Sequence, residues 1–143
     1  MISNKLFNTF ANRGMALEDD INITNKYYLD NDIAVIHKKP TPIRVTKVSY
    51  PSRKCTVIKE AYYDKPSTTD YNGIYKRMYI DLDAKEVKNN KSFPISNIHR
   101  HQIEHLKKIK NHGGISFIIV KFYFNNTTYL LEIDKLLSFI ETE

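Results

Sequence analysis

Residues 79–86 read YIDLDAKE, and the alternation of apolar and charged residues in this stretch predicts a half-buried β-strand. Successive side chains of a strand point to opposite faces, so Asp81, Asp83 and Lys85 share one face. The apolar residues between them take the other face and turn toward the core. Two carboxylates and an amine on one side of a strand are the first candidates for chemistry in this chain.

A third carboxylate can join them. Asp70 heads the preceding predicted strand and comes alongside Asp83 if the two strands pair. Carboxylate pairs of this kind hold Mg²⁺ or Mn²⁺, which prefer oxygen ligands, and a nearby lysine such as Lys85 can offset charge on a phosphate. This is the Asp…(Asp/Glu)-X-Lys pattern of a large nuclease superfamily. A solvated strand face would also match it, so the spacing alone leaves both interpretations open.

The periodicity of the remaining chain predicts a mixed sheet with helices packed on it, an α/β fold. A second hairpin has Asp70 at its head, Gly73 near its turn and residues 78–85 as its outgoing strand. Helices are expected over residues 12–29, from Ser96 or Asn97 to about Asn111, and over 135–140, with strands over 32–37, 115–124 and 127–133.

A basic hairpin is predicted between these elements. Two β-rich runs, 43–50 and 54–63, are separated by Pro51, Ser52 and Arg53. Lysines and arginines alternate here with tyrosines, which is compatible either with a hairpin that projects from the body or with an ordinary solvated strand pair.

Composition limits the class of protein. The 143 residues suit one domain, and 22 Lys and Arg against 16 Asp and Glu give a net charge of +6, which favours a polyanionic partner, either nucleic acid or an anionic membrane surface. No apolar run could span a membrane and the start lacks a secretion signal, so a cytoplasmic protein is expected. Cys55 is the single cysteine. His101 and His105 lie one helical turn apart, but nothing in the sequence completes a zinc site.

Four segments carry a more specific signal: NRGMALE at 12–18, IAVIHKKPTP at 33–42, PSTTDYNG at 66–73 and HQIEH at 101–105. In order and spacing they resemble RecU-type Holliday junction resolvases, and the resemblance covers roughly residues 12 to 131. It implies a restriction-endonuclease-like nuclease core with a projecting basic β-hairpin stalk at about 43–63. One nuclease domain over 1–143, with a loose N-terminus over about 1–11, would then act as a homodimer on branched DNA in recombination and repair, with Mg²⁺ or Mn²⁺.

The resemblance also assigns roles to residues. It implies catalysis by Asp70, Asp83 and Lys85, with in-line hydrolysis of a junction phosphodiester and Lys85 stabilising the transition state. The metal site it implies comprises Thr68, Asp70, Asp83 and Gln102. The resemblance matches Arg13, Lys38 and Arg53 to basic positions that the family uses with DNA. Lys39, Lys54 and Lys59 are further basic residues expected to contact DNA.

Two departures from the family pattern shape these expectations. Asp83 stands where the family usually has Glu, so its carboxylate is one methylene shorter. The chain ends at Glu143, soon after the last predicted helix, so contacts made by a longer C-terminal region are expected to be missing. Two alternatives stay open: a junction-binding module without catalysis, and a nuclease that cuts duplex as readily as junctions. A recombinase or branch-migration protein could be a partner of a junction-selective nuclease or of an unselective one.

Overall fold

A computed structural model describes residues 16–66, 68–88 and 91–142. These residues form a mixed five-stranded sheet, a separate two-stranded sheet and helices on both faces of the larger sheet. The elements are α1 (Leu17–Asp30), β1 (Val35–Lys38), β2 (Ile43–Ser52), β3 (Cys55–Tyr63), β4 (Tyr71–Tyr75), β5 (Met78–Val87), a 3-10 turn (Ile95–Asn97), α2 (Arg100–Asn111), β6 (Ile115–Phe122), β7 (Thr127–Glu132) and α3 (Ile133–Thr142). The predicted α/β class, a mixed sheet flanked by helices, is confirmed.

The five-stranded sheet has the order β1-β4-β5-β6-β7. Only β5 and β6 run parallel among the described strand pairs, and α2 connects them, as a parallel connection requires. β5 is the central strand. Its middle residues, Ile80 to Asp83, are buried, which is the environment in which a charged side chain must find a partner.

Two apolar clusters lie on opposite faces of this sheet. On one face, Leu17 and Ile21 of α1 pack against Ile80 and Leu82 of β5. On the other face, Leu106 of α2 belongs to a cluster shared with β6 and α3. The fold is thus three layers, with β5 between α1 and α2.

Helix α1 begins at Leu17, later than the start expected at Asn12. Residues 12–15 lie outside the described part of the chain, as does the expected loose N-terminus, but Ala16 is extended. The backbone N–H of Leu17 donates to a carboxylate oxygen of Glu86 at 2.8 Å. The first N–H groups of a helix have no acceptor within the helix. Glu86 of β5 supplies an acceptor for the first of them in α1.

The hairpin β2–β3 forms the separate two-stranded sheet, and all of its strand residues are exposed except half-buried Ser49. Its turn consists of Arg53 and Lys54, so the expected loop of residues 51–53 was wrong. Pro51 lies within β2. A strand with only one partner can hold a proline because an unpaired edge needs no N–H donor there.

Gly73 was expected near the turn of the β4–β5 hairpin, but it does not form that turn. Gly73 lies within β4, paired with Ile36 on one side and Ile80 on the other. The turn is made by Lys76 and Arg77, both at positive φ (46° and 68°). In the described residues no helix combines the length and apolar character that a membrane crossing requires.

Candidate active site

Strand β5 separates its side chains as the alternation predicted. Ile80 and Leu82 face the α1 side, and Asp81 and Asp83 face α2. Both aspartates are fully buried, at 0% exposure. A solvated face is therefore excluded for this strand, and each buried carboxylate must be stabilised by what surrounds it.

Asp83 lies between a lysine and an amide. Its Oδ1 accepts a hydrogen bond from Gln102 Nε2 at 3.0 Å, and its Oδ2 lies 2.8 Å from Lys85 Nζ in an ion pair. Among the described residues Oδ2 accepts no hydrogen bond of regular geometry. One oxygen of a fully buried carboxylate is thus left with unused acceptor capacity.

Asp70 stands beside Asp83, as expected from strand pairing. Tyr71 of β4 faces Leu82 of β5, so Asp70 is the next residue outward from this pair, opposite Asp83. The backbone N–H of Ala84 donates to Asp70 Oδ2 at 2.9 Å and fixes this carboxylate against β5. The antiparallel register brings together two acids that are 13 residues apart in sequence.

The surroundings of Asp83 disfavour its charged form. Burial raises the pKa of its carboxyl group and the negative charge of Asp70 raises it further, while Lys85 opposes both effects; the result is a pKa of about 7. An ordinary Asp pKa is near 4. Lys85 alone therefore does not offset the negative charge of the two carboxylates, and a further positive charge beside them would stabilise the ionised form of Asp83.

The orientation of Gln102 follows from its neighbours. Its Oε1 accepts from Lys85 Nζ at 3.0 Å and from the His99 backbone N–H at 3.2 Å. Both partners are donors only, so the oxygen must face them and the amide nitrogen must face Asp83. Gln102 therefore spans Asp83 and Lys85, and its expected role as an oxygen ligand to a metal stays a prediction.

Asp81 is the centre of a second polar cluster. Its carboxylate accepts hydrogen bonds from Lys39 Nζ at 2.9 and 3.2 Å, from Tyr79 Oη at 2.9 Å and from the Thr69 hydroxyl, and contacts His105 Nε2 at 3.0 Å. Burial alone would raise the pKa of Asp81, but the hydrogen bonds from Thr69, His105 and Lys39 and the charge of Lys39 outweigh it. The pKa is held below its usual value.

A cleft of about 370 Å³ opens beside Asp70 and Lys85. Its lining comes from the start of α1, from Asp70 and from β5: Ala16, Leu17, Glu18, Asp70, Ala84, Lys85 and Glu86. The described residues hold no group of three or more His, Cys, Asp or Glu side chains arranged to bind a metal ion. A cation in this site would therefore depend on the two acids together with neutral oxygen ligands.

A family model described as RecU: Recombination protein U matches residues 12–143. The chain belongs to the RecU family. It is 54% identical over 131 residues to "Holliday junction resolvase RecU" of Bacillus cytotoxicus, an overlap of 92% of this chain and 66% of that relative. Proteins of the same name from Bacillus thuringiensis and Bacillus mycoides give the same identity and coverage. The chain thus spans 66% of the length of the curated relatives it matches.

The basic residues expected to contact DNA fall into different environments. Arg53 and Lys54 form the exposed turn of the hairpin, and Lys59 is exposed on β3. Lys38 is half exposed and pairs with Glu18 at 2.5 Å. Lys39 is nearly buried against Asp81. Arg13 lies outside the described residues, and no contact is assigned to it.

Thr68, the remaining residue of the expected metal set, is exposed in the bend before β4, and its hydroxyl lies 3.3 Å from Lys39 Nζ. The buried threonine is its neighbour Thr69. The structure brings Asp70, Asp83 and Gln102 to one site, with Thr68 at its margin.

The RecU resemblance gave no catalytic or metal-binding role to three residues in and near this site. Glu18 lines the cleft, Asp81 is buried as deeply as Asp83, and His105 contacts Asp81. Gln102 and His105 are three residues apart and lie on one face of α2, as Asp83 and Asp81 do on β5. Matching these two spacings would have found the His105 contact; no spacing in the sequence points Glu18 toward the cleft.

Proposed function

We propose that this chain is a structure-selective endonuclease that nicks four-way DNA junctions by metal-dependent phosphodiester hydrolysis. The observation that carries the proposal is the buried Asp83 carboxylate held between Lys85 and Gln102 with Asp70 alongside, in a chain of the RecU family. Relatives that are 54% identical carry the name Holliday junction resolvase.

The donor set fits a hard divalent cation. Mg²⁺ and Mn²⁺ take oxygen ligands and keep several waters, so one or two carboxylates suffice. The raised pKa of Asp83 and the unused capacity of its Oδ2 support a cation at this position. Thr68, Asp70 and Asp83 would hold it, and Gln102 would join them by turning its amide so that Oε1 leaves Lys85 and the His99 N–H. When bound, the cation supplies Lewis acidity and charge neutralisation at the phosphate.

The protein residues supply the rest of the chemistry. Lys85 carries a positive charge at the cleft wall, where it can donate to a phosphate oxygen as charge develops in the transition state. Gln102 accepts from Lys85 and so limits the directions in which the ammonium points. Hydrolysis leaves a 5′-phosphate and a 3′-hydroxyl, since the bond to the 3′ oxygen breaks.

We also assign the remaining parts of the chain within this proposal. Residues 1–143 act as one nuclease domain, and the hairpin of β2 and β3 acts as the stalk that meets the junction. The exposed Arg53, Lys54 and Lys59 suit phosphate contacts, which carry no sequence information and weaken with salt. A homodimer with two-fold symmetry matches a junction that can adopt the same symmetry.

The test compares a labelled four-way junction with a linear duplex, each with and without Mn²⁺. The wild type should nick the junction only with Mn²⁺ and leave the duplex intact. Asp70→Asn and Lys85→Met should each reduce the nicking rate by about 100-fold or more, because the first removes a charged ligand of the cation and the second removes a positive charge at the reacting phosphate. Both variants should keep junction affinity within a few fold.

Lys26→Met is the matched control for loss of a lysine. Lys26 pairs with Asp30 on the exposed side of α1, and its removal should change neither nicking nor binding. Equal cleavage of duplex would replace the proposal with an unselective nuclease. Junction binding without Mn²⁺-dependent cleavage would replace it with a binding module.

A further inference from the structure

Lys38 and Lys39 are neighbours in sequence but not in environment. The side chain of Lys38 is 45% exposed and pairs with an equally exposed Glu18. The side chain of Lys39 is 16% exposed and its ammonium contacts the fully buried Asp81 at 2.9 Å. The extended backbone sends the two side chains to opposite sides. Only one of them is thus presented to solvent as a DNA contact would be.

Lys39 also binds three consecutive residues of the segment that leads into β4. Its Nζ lies 2.5 Å from the Thr69 hydroxyl and 3.3 Å from the Thr68 hydroxyl. Its backbone N–H donates to the Asp70 carbonyl at 2.7 Å. One residue therefore fixes the segment that contains the candidate ligands Thr68 and Asp70.

Asp81 is the carboxylate that binds both Lys39 and Thr69. Both of its carboxylate oxygens accept from Lys39; Tyr79 and His105 also contact Oδ2, and Thr69 donates to Oδ1. The cluster thereby joins β1, the segment before β4, β5 and α2. An ammonium has three donors, and the carboxylate and two threonine hydroxyls account for them. A phosphate could engage Lys39 only by displacing one of these partners.

We propose that Lys39 is a positioning residue: with Asp81 it holds Thr68 and Asp70 in the geometry that the divalent cation requires, and it is not a DNA contact. This inference rests on the proposed function, because it concerns the same site. Residues that orient metal ligands typically change metal affinity 10- to 100-fold when they are replaced. A residue that binds phosphate instead changes DNA affinity and its salt dependence.

The test protein is the double variant Lys39→Met/Asp81→Asn. Met keeps the unbranched stem, and Asn removes the buried charge that Lys39→Met alone would leave without its cation. Folding is first verified by circular dichroism. Calorimetric titration of the DNA-free protein with Mn²⁺ should show at least a tenfold weaker affinity than the wild type. Junction affinity, measured in EDTA across a salt series, should stay within twofold.

Lys38→Met is the contrasting variant, expected to weaken junction binding and to reduce the salt slope by about one while Mn²⁺ affinity is unchanged. Lys26→Met should leave both measurements as in the wild type. Wild-type Mn²⁺ affinity in the folded double variant would overturn the inference, whether or not its melting temperature falls. So would a loss of junction affinity with a smaller salt slope. None of these measurements uses cleavage, so a wild type that binds Mn²⁺ but nicks no junction would refute the nuclease proposal alone.

Discussion

At the scale of single residues, Asp83 occupies a position where the protein alone stabilises its negative charge poorly. Its pKa is raised to about 7 by burial and by Asp70, against the opposing effect of Lys85. In the unfolded chain the same group has a pKa near 4. Between these two values the folded protein holds a proton that the unfolded chain has lost.

This difference predicts how the metal-free protein responds to pH. Because the pKa of Asp83 is higher in the folded than in the unfolded state, its protonated form contributes to the stability of the fold. This contribution is fully present below about pH 4 and is lost as the pH rises through about 7. Relative to Asp83→Asn, which stays neutral, the wild type should lose on the order of 2 kcal/mol of unfolding free energy between pH 5 and pH 8. Urea denaturation of both proteins in EDTA measures this. Parallel pH curves for the two proteins would contradict the assignment.

The sequence predicted the positions of some side chains in the site but not the contacts of others. Alternation along β5 placed Asp83 and Lys85 correctly because strand geometry requires it. The partners of Asp81 could not be predicted in the same way. Lys39 and His105 reach Asp81 from a distant strand end and from a helix, and only the packing of those elements on β5 brings them together.

At the scale of elements, the close approach of β1 and β4 depends on Gly73. A Cβ at this residue would lie 2.0 Å from the Val35 carbonyl oxygen and 2.6 Å from the Ile36 Cα. Both are backbone atoms of β1, so no side-chain rotation relieves the contact. The glycine permits two backbones to meet, which is why it lies inside a strand and not at a turn.

Gly73→Ala is therefore expected to lower the unfolding free energy by about 3 kcal/mol or more, because β1 must move away from β4. Gly113→Ala is the matched control. Gly113 has a positive φ of 85°, but a Cβ added there would meet no atom within 4 Å, so its cost is limited to backbone strain of about 1 kcal/mol. Urea denaturation compares them, and equal losses in the two variants would show that the steric argument is wrong.

The two turns that precede β5 and β7 differ in how well the sequence predicted them. The strands expected over 115–124 and 127–133 leave Asn125 and Asn126 for the β6–β7 turn, and Asn126 does adopt a positive φ of 52°. Lys76 and Arg77 form the β4–β5 turn at positive φ with side chains that rarely adopt it. Sequence preference pointed to Gly73, but the register of β4 against two neighbouring strands determined the turn instead.

At the scale of the whole molecule, the site is assembled from all three layers. α1 contributes Glu18, the segment before β4 contributes Asp70, β5 contributes Asp83 and Lys85, and α2 contributes Gln102. These residues span 85 positions of the sequence, from Glu18 to Gln102. The site can therefore form only when the complete fold forms, and the metal is expected to stabilise the folded state through mass action.

If two such molecules act as the proposed symmetric dimer, each junction receives two nicks from two separate sites. Wild-type protein re-formed with an excess of Lys85→Met should then yield mixed dimers with one competent site. On a plasmid with an extruded cruciform, paired nicks produce linear DNA, while a single nick produces a relaxed circle. The mixture should shift products from linear to relaxed in proportion to the excess of variant. A constant linear fraction at every mixing ratio would instead indicate that one subunit makes both nicks.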